Sequence, residues 1–210
     1  MPFMVQDFLN TATFKTSYFS FICTYGNRHA NCVELAQQKA HNCGIEPSYI
    51  STLLMVDNWL PNFDMNDQRA RIPEKHIDEN LVRIEQDLKE RKHWIEPVTE
   101  QDREAHEQFL SRGLSFTPTA LKDFLVIDEG TCTGCGTCIK VCPAGSISFN
   151  EDGVAVRNAL SGEGCNACLA CIHACPSGAF ELPMGESNPE ARFRNEHVSL
   201  NEIIAANNLS

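Results

Sequence analysis

No apolar run in the sequence approaches the roughly 18 residues that a helix needs to cross a bilayer, so membrane insertion is not expected. Positive charge is also scarce. Seventeen Lys and Arg stand against 28 Asp and Glu, a formal charge of −11. Such a surface repels nucleic-acid phosphates and anionic lipid, which argues against nucleic-acid binding and favours a basic partner. The opening MPFMVQDFLN lacks both a basic n-region and a small-residue cleavage site, so a soluble, cytoplasmic chain is expected. Disorder and fibrous repeats are excluded by 42% hydrophobic and 21% charged residues. Its 210 residues suffice for one ordinary domain or two small ones.

Cysteine is what the chain has in excess. There are 11, and eight of them lie between Cys132 and Cys175. In a reducing compartment that density points to metal or cluster ligation, because structural disulfides seldom persist there. The eight form two copies of Cys-x2-Cys-x2-Cys-x3-Cys-Pro, 33 residues apart: Cys132, Cys135, Cys138, Cys142-Pro143 and Cys165, Cys168, Cys171, Cys175-Pro176. Three thiolates at this spacing wrap a loop around a cubane, and a helical turn then carries the fourth away to a second cluster. Cluster one is expected on Cys132, Cys135, Cys138 and Cys175. Cluster two is expected on Cys165, Cys168, Cys171 and Cys142. Zinc sites more often use two cysteine pairs separated by a longer knuckle, so two [4Fe-4S] clusters fit better than zinc.

Glycines 134, 136, 145, 164 and 178, with Ala167 and Ala170, surround these loops and let amides approach the cluster sulfides. Ile139, Val141, Ile147, Phe149, Ile172 and Phe180 read as the apolar shell that limits water access. Lys140 and His173 lie between the third and fourth cysteines, where a surface role is expected. Four thiolates per cluster in an acidic protein predict low potentials.

The rest of the chain changes character twice. Tyr18–Cys23 reads as a short, fully buried strand, followed by the turn Thr24-Tyr25-Gly26-Asn27. Cys32, Val33, Ala36, Ala40 and Cys43 recur at helical spacing up to a cap at Gly44, and Tyr49–Val56 reads as a second strand. Strand, helix, strand makes a parallel crossover unit. Beyond Asn62 the chain is charged and mostly helical, with Ile77, Leu81, Ile84 and Leu88 on one face and a helix start at Thr99. Phe116–Pro118 reads as a connector. Ser199 followed by Glu202 forms a capping-box start to a last short helix. Cys23, Cys32 and Cys43 have no ligand spacing and read as buried packing thiols.

The stretches FICTYGNRHA, LLMVDNWLPNFDM, ERKHWIEPVT and ARFRNEHVSLNEII, with the doubled cysteine motif, resemble fused flavodoxin/ferredoxin proteins nearly end to end. In that family a flavodoxin-like domain precedes a bacterial-type two-cluster ferredoxin. The resemblance implies an FMN ring against Thr24, Tyr25, Gly26 and Asn27, where ligands of open α/β sheets also bind. Only two strands are found ahead of the cysteines, so the chain resembles the carboxyl-terminal half of the flavodoxin-like domain joined to a whole ferredoxin. Thr11, Thr13 and Thr16 match the spacing of a phosphate loop. They precede the strand and include no glycine, so they are not read as one.

The resulting expectation is an α+β chain with a bacterial 2[4Fe-4S] ferredoxin-like carboxyl-terminal domain, preceded by a partial flavodoxin-like α/β segment and a helical linker. Its parts are 1–61, a partial flavodoxin-like segment; 62–118, charged and helical; 119–184, the ferredoxin domain; and 185–210, a tail with a short helix. The expected function is shuttling single electrons through two [4Fe-4S] clusters to redox partner proteins. The alternative is a flavin-dependent oxidoreductase whose FMN site is completed by another chain. Two lone parallel strands leave open edges, which suggests self-association or a complementing flavodoxin-like half.

Overall fold

The computed structural model describes residues 1–112, 123–158 and 165–207. The expected connector Phe116–Pro118 and Gly164 lie outside the described residues. Two compact units emerge: one comprises 1–57 with 67–115, and the other 58–66 with 116–210.

The first unit follows the order α1 (Phe3–Thr11), β1 (Ser20–Tyr25), α2 (Cys32–Asn42) and β2 (Tyr49–Leu54). It continues, after α3 (Met65–Ala70) at its junction with the other unit, with α4 (Ile77–Lys89), β3 (Trp94–Ile95) and α5 (Glu100–Ser111). The strands form a parallel sheet in the order β1-β2-β3. β3 was not legible in a segment read as mostly helical, and it raises the parallel strands from two to three. It has only two residues, too few to show a period. Beyond its end the Glu96 side chain takes over the ladder, accepting from the Thr52 amide at 2.7 Å, Thr52 Oγ1 at 2.6 Å and Ser51 Oγ at 3.0 Å. These bonds satisfy a central-strand donor that the short edge strand cannot reach.

β1 is not the fully buried strand that its apolar run suggests. As an edge strand it leaves Ile22 and Thr24 exposed, whereas β2 is buried along nearly its whole length. The central position in the sheet decides this, and it is a tertiary property. Val33 and Ala36 of α2 pack with Ile50, Phe21 and Cys23 on one side. A second cluster joins Leu9, Ala40 and Ile45 with Phe14, Phe19 and Cys43. Cys23, Cys32 and Cys43 are accordingly half-buried packing thiols.

Two polar clamps hold the helices. Arg103 of α5 grips Glu34 of α2 through Nη2 to Oε1 at 2.7 Å and Nε to Oε2 at 3.2 Å, a bidentate charge-assisted pair. The buried carboxylate Asp87 of α4 accepts from Tyr49 Oη at 3.0 Å and Lys92 Nζ at 2.9 Å. The Lys92 ammonium is the main influence holding Asp87 below its ordinary pKa of 3.8, opposed by burial and aided by Tyr49. A depressed carboxylate stabilises the native state fully above its unfolded value and ceases to do so as pH falls through the native one. Acid unfolding followed by circular dichroism should therefore show stability lost below pH 3.8, and Asp87→Asn should flatten that part of the slope. An unchanged slope would contradict this assignment.

The second unit repeats itself in structure as in sequence. Its elements are β4 (Val126–Ile127), α6 (Thr137–Val141), β5 (Ile147–Phe149), β6 (Ala155–Arg157), α7 (Ala170–Ala174), β7 (Phe180–Glu181) and α8 (Leu200–Ala206). The helical turns α6 and α7 match at the 33-residue step. β4 pairs with β7 and β5 with β6, both antiparallel, so each sheet pairs the strand before one cysteine loop with the strand after the other. α8 begins with the expected capping box, Ser199 accepting from the Glu202 amide and Glu202 from the Ser199 amide. Asn207, just beyond it, donates to the Lys140 carbonyl at 3.0 Å.

Residues 58–66 act as a strap on this unit. Trp59 stacks on Phe124 with centroids 5.7 Å apart, the Leu60 carbonyl accepts from the Ser187 amide at 2.8 Å, and Asp64 accepts from Asn188 at 2.8 Å. Nothing in the local sequence marks a strap, because its partners lie far along the chain.

Candidate metal centre

The cysteines are positioned by turns that bend sharply before each helix. Gly134, Gly136 and Gly145 have φ of +66°, +72° and +60°, and their counterparts Ala167, Leu169 and Gly178 have +51°, +61° and +71°. The left-handed residues therefore recur at the repeat step even where the side chain is not glycine. At Gly134 a glycine is required twice over, because a Cβ there would lie 2.7 Å from the Gly153 carbonyl oxygen.

Two recesses divide the eight cysteines. One is lined by Cys132, Cys135, Cys138 and Cys175, together with Gly136, Ala155 and Phe180. The non-atom space there, part of it open to solvent, is about 280 Å³. The other is lined by Cys142, Cys165, Cys168 and Cys171, together with Phe124, Leu125 and Ile147, and its non-atom space, likewise partly open to solvent, is about 410 Å³. Each recess thus gathers three cysteines of one copy and the fourth of the other. α6 and α7 pack against each other, which is how each copy's fourth cysteine reaches the opposite recess.

Electrostatics follow the same division. Burial pushes the Cys138 thiol up to about 11, with Cys175, Cys135 and Cys132 adding to the rise. Cys171 is raised by burial and then by Cys168, Cys142 and Cys165; Cys168 is raised by burial and then by Cys142 and Cys165. Close thiolates with no cation between them repel, so filling these recesses with a positively charged group favours ionisation. Cys135 goes the other way, lowered by hydrogen bonds from the Thr137 hydroxyl and amide. No group of three or more His, Cys, Asp or Glu side chains among the described residues is arranged to hold a single metal ion. The four thiols of each set stand around a space instead.

Hydrogen-bond donors already face several of the sulfurs. The Ser146 amide reaches Cys142 Sγ and the Ala179 amide reaches Cys175 Sγ, both at 3.3 Å and 33 residues apart. The Ala155 amide reaches Cys132 Sγ at 3.5 Å. The Ser146 hydroxyl is buried without a hydrogen-bond partner among the described residues, and Ser146 lines the second recess. A buried donor costs stability unless something accepts from it. Sulfide of an iron–sulfur cluster is such an acceptor, and four soft thiolates are its usual ligands, so the residues present fit this group.

His173 has a definite role where a surface residue was expected. Its Nδ1 accepts from the Phe193 amide at 3.1 Å, which leaves Nε2 to donate to the Asn58 carbonyl at 3.1 Å. The neutral ring thereby ties the strap and the tail to α7. This bracket, and the hydroxyls of Thr137, Ser146 and Ser177, were not singled out from sequence. The hydroxyls left a trace, since each breaks the symmetry of an otherwise similar repeat.

Thr24 and Tyr25, expected in the turn, are the last two residues of β1, and only Gly26 and Asn27 lie beyond its carboxyl end. Tyr25 packs edge-on against His29, and Lys75, which is buried, donates to the Gly26 carbonyl at 3.0 Å. The space beside Gly26 is filled by Asp57, whose Cβ would lie 2.4 Å from an added methyl.

Comparison with known proteins bears on the second unit. A family model described as a 4Fe-4S dicluster domain matches residues 124–176. A probable ferredoxin of Methanosarcina thermophila is 52% identical over 29 residues, which are 14% of this chain and 50% of that protein. The chain thus spans about half the length of the curated relative it matches. These matches support a ferredoxin-like region of the [4Fe-4S] dicluster type within a chain of mixed helix and strand. No helix among the described residues is long and apolar enough to cross a membrane.

Proposed function

We propose that the chain is an electron carrier holding two [4Fe-4S] clusters, one on Cys132, Cys135, Cys138 and Cys175 and the other on Cys165, Cys168, Cys171 and Cys142. The observation that carries this reading is the division of eight thiols between two recesses, four to each, with the fourth cysteine exchanged between copies. A carrier of this kind makes and breaks no substrate bond: each cluster takes up one electron and later returns it. The protein holds the sulfurs, directs amides at them and limits water. Ile147 beside the second recess and Phe180 beside the first are both at least 95% buried and supply that barrier.

Anaerobic reduction of the loaded chain tests the reading. It should consume about two electrons per chain and develop a low-potential paramagnetic signal from each cluster. A redox-silent protein with stoichiometric zinc would contradict it.

The charge of −11 also shapes partner choice. Electron exchange with a basic redox protein should slow steeply between low and physiological salt, since exposed charges are screened over about 8–10 Å. Stopped-flow rates that are flat across that range would contradict an electrostatically guided encounter.

A further inference from the structure

Of the hydroxyl side chains that reach the recesses or their thiols, three face alanine in the other copy of the repeat; a fourth, Thr133, lines the first recess beside Cys135 and corresponds to Asn166. Thr137 corresponds to Ala170, Ser177 to Ala144 and Ser146 to Ala179. Thr137 Oγ1 lies 3.5 Å from Cys135 Sγ, and Ser177 Oγ lies 3.6 Å from Cys175 Sγ. These distances suit sulfur, whose radius exceeds that of oxygen. Both sulfurs line the same recess, although the two hydroxyls are carried by different copies. A ligating thiolate has no proton, so each hydroxyl is the donor.

A donor aimed at a ligand sulfur favours the more negative, reduced state, because the added electron is shared with the sulfurs. The amide bonds of Ser146 to Cys142 and Ala179 to Cys175 are matched between copies and cancel in the comparison. The hydroxyls do not cancel. Thr137 and Ser177 both serve the Cys132-Cys135-Cys138-Cys175 set, joined there by the Thr133 hydroxyl beside Cys135 and the Ala155 amide on Cys132. Against them stands the Ser146 hydroxyl in the other recess. From this count we infer that Thr137 and Ser177 give the first set the higher of two distinct reduction potentials, so that an electron arriving at either cluster settles there first. Both act as positioning residues through their cysteines. The inference rests on the crossed ligand sets proposed above.

The test is a potentiometric measurement on the full, loaded chain, following the paramagnetic signal of each cluster. Two steps are expected. Thr137→Ala and Ser177→Ala should each lower the higher step and leave the lower one in place. Together they should change the reduced-to-oxidised ratio at fixed potential by about tenfold, equivalent to 59 mV for one electron. Thr137→Ser should retain the parent value. Ser146→Ala should lower only the other step. If Thr137→Ala loses its cluster, Ala144→Ser with Ala170→Thr decides by the reverse route, raising the lower step. The inference is overturned if both clusters are intact and neither step moves, or if Thr137→Ala and Ser177→Ala both lower the lower step. Movement of different steps by Thr137→Ala and Ser177→Ala would instead overturn the crossed ligand sets beneath it. A chain that takes up no iron would overturn the proposed function itself.

Discussion

Replacing Cys142 by serine should abolish the cluster signal of the opposite copy, on Cys165, Cys168 and Cys171, and preserve the signal on Cys132, Cys135 and Cys138. Cys142 is 92% buried, lines the recess of the opposite copy and accepts the Ser146 amide there. A serine oxygen is shorter and harder than a thiolate and stays protonated at neutral pH, so it is a poor substitute for a soft ligand. Iron per chain should fall from about eight to about four. Cys175→Ser should give the mirror result, sparing the Cys165-Cys168-Cys171 set. Ligation within each copy predicts the opposite in both variants, so paramagnetic spectra of the two proteins decide between the arrangements.

Gly134→Ala is expected to have the next largest effect. The methyl group would stand 2.7 Å from the Gly153 carbonyl oxygen, which is backbone and cannot rotate aside. The left-handed φ of +66° adds a penalty of about 1–2 kcal/mol for any L side chain. With about 1–3 kcal/mol for overpacking, the loss is about 2–5 kcal/mol, a large share of the stability of a small unit. Ala167 occupies the matching turn with a φ of +51°, so Ala167→Gly should act in reverse and stabilise by up to about 1 kcal/mol. Bleaching of the loaded protein in urea should therefore be faster for Gly134→Ala and slower for Ala167→Gly. Equal rates for all three proteins would contradict the strain argument.

The two predictions differ in how far sequence alone leads to them. The ligand spacing fixes which eight cysteines matter, and the 33-residue step locates α6 and α7. Turn glycines at 134, 136, 145 and 178 are legible for the same reason, since left-handed backbone favours glycine. Leu169 is not legible. It is 98% buried and holds the φ of +61° that its counterpart Gly136 suggests, so packing outweighs local preference there. In the first unit, helical spacing located α2 and the capping residues located α5. β3 and the exposure of β1 escaped because they depend on strand order, which period and composition do not encode. The strap at 58–66 and the tie from His173 to Asn58 escaped because the hydrogen bonds that make them span more than 100 residues.

Acid pairs illustrate the same division. Asp87 lies within a helix whose charges look like an ordinary solvated face, and although Lys92 is only five residues away, the fold alone brings Tyr49 to its carboxylate. Thr99 and Asp102, by contrast, are three residues apart and form the local cap that their spacing suggests.

Metal and acid-labile sulfide content of anaerobically prepared protein tests the central claim most directly. The account predicts about eight irons and eight sulfides per chain, with no remaining cysteine among the eight open to alkylation. Stoichiometric zinc, or a chain that remains colourless and iron-free after chemical reconstitution, would contradict it.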